Sequence, residues 1–466
     1  MNSIIYRSIL SAFLSKNRNR SVTQRHRVMK VALASFIFIA RAPLISAEVS
    51  PEAESFGFSA QRLMNIDRRM NEAVKAGVMA GGQGLIIKSG QAIYRGSWGY
   101  ADRELQTPLT DNTRFRIYSM TKPITSVALL MLYEEGHFLL EDPVADYLPE
   151  LADLKLAQVS ADGTVSLVEP SKQPSIRDLL RHTAGFTYGI FSDTPVDQQY
   201  RQSQLLQATT LQEFSERLGR LPLLLEPGSR WHYSVSVDVQ GRLIEVITGK
   251  PFSEFLQERI FSPLAMSKTS FRLNEEESKD LAQLYSPIGT TLDWNSTWSF
   301  SDEQGLEVAA AELTAPYLDG SLFESGGGGL ISTLSDYAKF ARLLANQGEF
   351  EGKRLLSPHT VALMRSDNLD GANSDGLWSM DSFGLGVGVV SDPAKRSGEL
   401  GGRGSFGWGG AAGTNFWIDP SNDLVGIFMV QSIPHQTPLA KKFQVLTYSS
   451  LIASPPPPAP PPPVTP

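Results

Sequence analysis

Ser119 and Lys122 stand three residues apart in RIYSMTKPITSVALLMLYEEG, a hydroxyl and an amine at a spacing that suits a nucleophile and its base. On a helix, residues i and i+3 share one face. Pro123 bars regular helix upstream of about Ser119, because its ring would clash with the carbonyl four residues back and it has no N–H to donate. Ser119 is therefore expected at a helix N-terminus, where free N–H groups and the positive end of the helix dipole favour developing negative charge. Lys122 is the only charged residue between Ser119 and Tyr133, a stretch apolar nearly all round and hence expected to be buried. A buried lysine loses solvation, which moves its pKa from about 10.4 toward neutrality, as a base that must accept the serine proton requires. Taken alone, the pair also fits a Ser N-cap followed by a Lys whose head reaches solvent.

Two further segments carry candidate chemistry. In RWHYSVSVDVQGRLIEVITGK, Tyr233 ends an aromatic-rich loop and a helix begins near Ser236, with Val239, Leu243, Ile244 and Ile247 on its apolar side. A tyrosine hydroxyl beside a cationic lysine can pass protons between nucleophile and leaving group, although a core tyrosine fits the same loop. In RGSFGWGGAAGTNFWID, glycines let a strand edge approach a ligand closely and Trp408 offers an apolar wall. Glycines in a turn are the plainer reading of that segment.

The elements that must position these residues follow a pattern. Leu63, Ile66, Met70 and Val74 recur every three to four residues between Ser59 and about Ala76, which predicts an amphipathic helix. GLIIKSG and QAIYRGSWG follow, with Ser89-Gly90 as a hairpin signal. Residues 136 to about 310 hold scattered helical patterns and no clear alternating strand, so a mainly helical region is expected there. After four consecutive glycines at 326–329, Ser332 or Thr333 caps a helix whose apolar face is Leu334, Tyr337, Phe340 and Leu343. FGLGVGVV, GTNFWID and LVGIFMVQ then read as short strands, and a helix is expected from about Pro438 to Ile452. The fold class this implies is α+β: an antiparallel sheet built from both ends of the chain and flanked by helices, with a helical region inserted between.

Ser-x-x-Lys, a Tyr-x-x loop about 110 residues on and a Gly-bearing strand about 175 residues further resemble the serine β-lactamases and penicillin-binding proteins. The chain is most similar to the carboxylesterases related to class C β-lactamases, called family VIII esterases. Their three motifs are matched here by Ser119-Met120-Thr121-Lys122, Tyr233-Ser234-Val235 and Trp408-Gly409-Gly410. LLRHTAGF around His182 and SGGGGLISTLSDYAKF around Gly327 also resemble the family, so the likeness spans about residues 55 to 450. It implies a β-lactamase-like fold with the active site in the cleft between its two parts, Ser119 as nucleophile, and Lys122 and Tyr233 sharing its proton. It further implies an oxyanion hole from the N–H groups of Ser119 and Ala411, and substrate contacts from Val235, Trp408, Gly409 and Gly410.

β-Lactamases usually carry Tyr-x-Asn and Lys-Thr-Gly where this chain has Tyr-Ser-Val and Trp-Gly-Gly. Val235 cannot hydrogen-bond a substrate amide, and Trp408 cannot pair with a substrate carboxylate. A neutral carboxylic ester with a short to medium acyl chain fits better, while Arg403, five residues before Trp408, could restore some carboxylate binding and weak cephalosporin hydrolysis. The alternatives are a β-lactamase or D-alanyl-D-alanine carboxypeptidase, an acyltransferase using the same site, and a binding homologue without catalysis. A Ser-His-Asp hydrolase would need a Gly-x-Ser-x-Gly elbow, which is absent, and His182 reads as a structural hydrogen-bonder at a helix terminus.

Composition removes other classes. No Cys is present, so thiol catalysis, zinc-thiolate sites and disulfides are excluded, and the six His form no His-x-His or His-Glu-x-x-His pattern. No metal and no cofactor are expected. Residues 1–47 hold eight Lys or Arg and no acid, so the remainder sets 49 acidic residues against 34 basic ones, a net −15 that argues against nucleic acid as a partner. The leader, with Arg25 to Lys30, VALASFIFIA and Ile45-Ser46-Ala47, resembles a secretory signal cut after Ala47, giving an exported, periplasmic or secreted protein; its Arg-rich, acid-free composition also resembles a mitochondrial transit peptide, and a cytoplasmic location is the alternative. Its ten apolar residues are too few to span a bilayer, so no stable membrane insertion is expected. The expected organisation is a targeting segment at 1–47, a catalytic domain at 48–453 and a polyproline tail at 454–466. Within the domain, the α/β part covers about 48–135 and 311–453 and the helical part about 136–310. The expected partner is a small ester, and the oligomeric state is left open.

Overall fold

The two ends of the domain meet in one antiparallel sheet. In a computed structural model of the protein, the described residues are 47–290, 305–369, 381–393, 400–435 and 437–452. Residues 1–46 of the expected 1–47 targeting segment and the polyproline tail lie outside them. The sheet strands in chain order are β1 (Glu48–Val49), β2 (Gly81–Lys88), β3 (Gln91–Asp102), β4 (Thr107–Pro108), β5 (Ser382–Phe383), β6 (Gly388–Val389), β7 (Phe406–Gly409), β8 (Asn415–Asp419) and β9 (Leu424–Val430). Their spatial order is β1-β3-β2-β9-β8-β7-β6-β5, with β4 paired to β3. The central seam pairs β2 from the beginning of the chain with β9 from its end, Leu85 opposite Ile427 and Gly84 opposite Phe428.

Alternation along these strands feeds two cores. Leu85, Ile87, Val425 and Ile427 face one cluster, while Ile86, Leu424 and Phe428 face the other. Both faces are covered, which is why β9 reads as an unbroken apolar run. On one side, α1 (Ala60–Lys75) and the C-terminal helix Leu439–Ser450 pack together, with Phe443 set edge-on to Trp98 and Trp417. Ser59 caps α1 by accepting from Arg62 N, and its own N–H donates to Ser450 O, tying the two ends of the domain. The other side of the sheet carries α4 (Leu334–Ala345), capped by Thr333, and in the same core α2 (Thr121–Glu134) and α3 (Ser236–Thr248) pack against each other.

The inserted region is mainly helical, as expected, but it also holds two strand pairs, Leu156–Val159 with Val165–Val168 and Tyr285–Pro287 with Leu306–Val308. In the first pair Val159 and Leu167 stay exposed, so its strands lack the inward apolar alternation that betrays a strand in sequence. Asp162-Gly163 in the first loop was the legible turn signal. Among the described residues, no helix is long and apolar enough to cross a membrane.

Candidate active site

The Ser119 segment leaves a short strand, Arg114–Arg116, and turns into a single 3-10 turn at Tyr118–Met120 before α2 begins at Thr121. Ser119 thus lies two residues ahead of the regular helix that Pro123 limits. Tyr118 adopts φ +42°, a left-handed conformation that costs a bulky side chain free energy and turns the next residue outward. The segment is held in place by Ile117 N donating to Leu330 O and by the Thr414 hydroxyl donating to Ile117 O at 3.3 Å.

Every residue of α2 from Thr121 to Leu132 is buried, Lys122 included, so its amine must find partners inside. Lys122 Nζ lies 3.3 Å from Ser119 Oγ, 3.0 Å from the Tyr188 hydroxyl and 2.6 Å from Gly327 O. It also sits 4.6 Å from the centre of the Tyr233 ring. The Tyr233 hydroxyl donates to Ser119 Oγ at 2.7 Å. Two side chains, one from 114 positions along the chain, therefore converge on the Ser119 oxygen.

His182 follows the short helix Ile176–Leu180 in a left-handed conformation, φ +56°. Its Nδ1 accepts from Ser234 N at 3.3 Å, and its ring packs 4.9 Å from that of Tyr233. Burial, with help from Lys122 and His232, holds its pKa well below the usual histidine value. A neutral ring that buttresses Tyr233 and makes no contact with Ser119 is a support, as its place after a helix suggests.

Ser119 opens on a cavity of about 210 Å³ whose lining includes Tyr188, Phe191, Leu206, Phe271, Leu313, Tyr317 and Phe323. Ala411 lines it beside Ser119 and Tyr233. The other residues expected to touch substrate sit elsewhere. Val235 is fully buried as the residue before α3, where the helix start turns it into the core. Trp408 packs against Tyr233, its ring 5.7 Å from the tyrosine and 5.2 Å from Phe383, and is absent from the cavity wall. Gly409 and Gly410 also lie off the wall. A Cβ on Gly410 would stand 2.4 Å from Ile117 O and 2.3 Å from Thr414 Oγ1, so this glycine lets the end of β7 abut the Ser119 turn and place Ala411 beside it. Arg403 is exposed, 3.9 Å from Asp392, and does not line the cavity.

Sequence reasoning missed Tyr188 and the receiving role of Gly327. Gly326 and Gly327 pass between α2 and α3, with Thr125 of α2 donating to Gly326 O at 2.8 Å. A Cβ on Gly326 would meet Val237 O at 2.6 Å. The four-glycine run was the available signal for a backbone squeezed between elements. Burial, Asp238 and Tyr233 together push the Tyr188 hydroxyl well above its usual pKa. Among the described residues, no cluster of His, Asp and Glu could hold a metal ion.

The chain belongs to the beta-lactamase family, whose model matches residues 66–446. This is a superfamily of serine hydrolases. Protein Rv1367c of Mycobacterium tuberculosis is 32% identical over 383 residues, 80% of this chain and 91% of that protein. Esterase EstB of Burkholderia gladioli is 26% identical over 382 residues, 81% of this chain and 92% of its own length. The solved structure of simvastatin synthase LovD from Aspergillus terreus, at 23% identity, superposes with a TM-score of 0.71 over 84% of this chain and 99% of that one, a likeness of fold.

Proposed function

We propose that the protein hydrolyses carboxylic esters of short to medium acyl chain through an acyl-enzyme on Ser119. The observation that carries this reading is the Ser119 oxygen held by Tyr233 and Lys122 at the edge of an apolar, aromatic cavity. Gly327 O and the Tyr188 hydroxyl hold the Lys122 head group within 3.3 Å of Ser119 Oγ, in reach of the serine proton. As Ser119 Oγ attacks the ester carbonyl, Lys122 accepts that proton, and Tyr233 gives a proton to the departing alkoxide. The carbonyl oxygen, now an anion, is received by the N–H groups of Ser119 and Ala411. Water then attacks the acyl-enzyme by the reverse path and frees the acid.

The cavity supports a neutral substrate. Its charged lining residues are Arg272, Glu312 and Glu324, so the one cation shares the lining with two carboxylates, and nothing there matches a lysine aimed at a β-lactam carboxylate. The name of the Burkholderia gladioli relative points the same way. The test is the initial rate of the chain from Glu48 on p-nitrophenyl butyrate and on a chromogenic cephalosporin, with Ser119→Ala alongside. Ester turnover that vanishes in the variant, with little cephalosporin turnover, is expected. Faster cephalosporin turnover would make the protein a β-lactamase, and ester turnover surviving in Ser119→Ala would sink the mechanism.

A further inference from the structure

One buried carboxylate has no part in the chemistry above. Asp238, in the first turn of α3, is fully buried, five residues after Tyr233. Its Oδ1 accepts from the Ser325 hydroxyl at 2.5 Å and from Gly327 N–H at 3.0 Å. Its Oδ2 is buried with no hydrogen-bond partner among the described residues. A carboxylate so placed costs free energy, since each lone pair taken from water needs replacement. Burial accordingly raises its pKa, against the opposing pull of Lys122.

The contacts of Asp238 lead to the reacting oxygen through a single peptide. Gly327 donates its N–H to Asp238 and accepts Lys122 Nζ on its carbonyl at 2.6 Å, the shortest of the three lysine contacts. Lys122 in turn reaches Ser119. A Cβ at position 327 would stand 2.6 Å from Asp238 Oδ2 and 2.8 Å from the Tyr188 hydroxyl, so this backbone has room for glycine alone and no side-chain packing of its own to fix it. A glycine run has wide conformational freedom and needs outside anchors. Thr125 grips it from α2, and Asp238 grips it from α3.

We infer that Asp238 is a positioning residue for the Ser119 reaction: it clamps the turn from Ser325 to Gly327 so that the Gly327 carbonyl fixes the Lys122 head group beside the nucleophile. The inference rests on the Ser119–Lys122 reading. Asp238 itself touches neither Ser119 nor the cavity, while the turn it holds contributes Ser325 and Gly327 to the lining, so its effect is expected mainly in kcat with a smaller one on KM.

The experiment measures kcat and KM on p-nitrophenyl butyrate, with thermal melts, for the wild type, Asp238→Ala, Asp238→Asn and Ser325→Ala, with Ser119→Ala as control. Loss of the clamp lets the amine drift by about an ångström, so Asp238→Ala is expected to lower kcat about 100-fold with KM within about threefold. The amide oxygen that Asp238→Asn introduces would accept the same two hydrogen bonds, so this variant is expected to stay within about tenfold of wild-type kcat. Ser325→Ala removes one of the two bonds at a partly exposed site and is expected to lower kcat about fivefold with the melting temperature unchanged; it carries the test if Asp238→Ala does not fold. A folded Asp238→Ala with kcat within about threefold of wild type overturns the inference, as do equal losses in the Ala and Asn variants, which would point to charge. An inert Ser325→Ala beside an unfolded Asp238→Ala overturns it too. Ser119→Ala that keeps ester turnover would fell the hydrolase reading itself, whereas an inactive Ser119→Ala beside an unimpaired Asp238→Ala fells this inference alone.

Discussion

Replacing Gly410 by alanine tests whether the end of β7 sets the distance between the nucleophile turn and the oxyanion donor. The added Cβ would stand 2.4 Å from Ile117 O and 2.3 Å from Thr414 Oγ1. Ordinary contact begins near 3.4 Å, so the strand and the turn must part by about 1 Å. Neither neighbour yields easily. Ile117 O belongs to backbone anchored by Leu330, and the Thr414 hydroxyl is the group that donates to that same oxygen. Ser119 is two residues after Ile117 and Ala411 is one residue after Gly410, so the displacement falls between the two residues whose N–H groups are proposed to receive the substrate carbonyl oxygen. A misplacement of about 1 Å costs roughly 100-fold in rate, and overpacking of this kind costs about 1–3 kcal/mol of stability. Steady-state kinetics on p-nitrophenyl butyrate should therefore show kcat for Gly410→Ala down about 100-fold with KM little changed, and calorimetry a melting temperature lower by several degrees. A folded variant with kcat within about threefold of wild type would refute the argument that β7 positions the site.

Tyr233→Phe keeps the ring that packs on His182, Trp408 and Phe191 and removes the hydroxyl 2.7 Å from Ser119 Oγ, so kcat is expected to fall by about 10²–10⁴ at an unchanged melting temperature. An active variant would assign the proton transfer to Lys122 and Tyr188 alone. His182 bears on stability against pH. Its folded pKa lies below the unfolded value near 6.5, so the unfolded chain binds the extra proton first, and stability present above pH about 6.5 is lost as pH falls toward the folded pKa. Melts between pH 5 and 8 should fall off on the acid side, and His182→Asn should remove a slope of up to about 1.4 kcal/mol per pH unit from that limb. His232 and His435, both also lowered by burial, would supply what slope remains, and an identical acid limb in the variant would refute the assignment to His182.

Periodicity and short-range chemistry were legible without coordinates. The spacing of Leu63, Ile66 and Met70 marked α1, Ser89-Gly90 marked the β2–β3 hairpin, and the caps and apolar face of α4 stood in the text, because each depends on residues a few positions apart. Ser119 and Lys122 were legible as a pair for the same reason, one helical face. The strands at 156–159 and 165–168 were not, because Val159 and Leu167 stay exposed while Ala157 is the buried residue of the pair, which leaves no clear apolar alternation to read. Trp408 was assigned to the cavity wall from its motif, and tertiary packing turned it against Tyr233, a choice made by Phe383 and Tyr233 from distant parts of the chain. Tyr188, Gly327 and Asp238 acquire their parts only when α2 and α3 close on the glycine run. The sequence by itself determined which groups could do the chemistry and which elements carry them. Only the tertiary structure decided that Tyr233 meets Ser119 at 2.7 Å and that a glycine carbonyl receives the lysine, since those contacts join residues 114 and 205 positions apart and no local pattern encodes them.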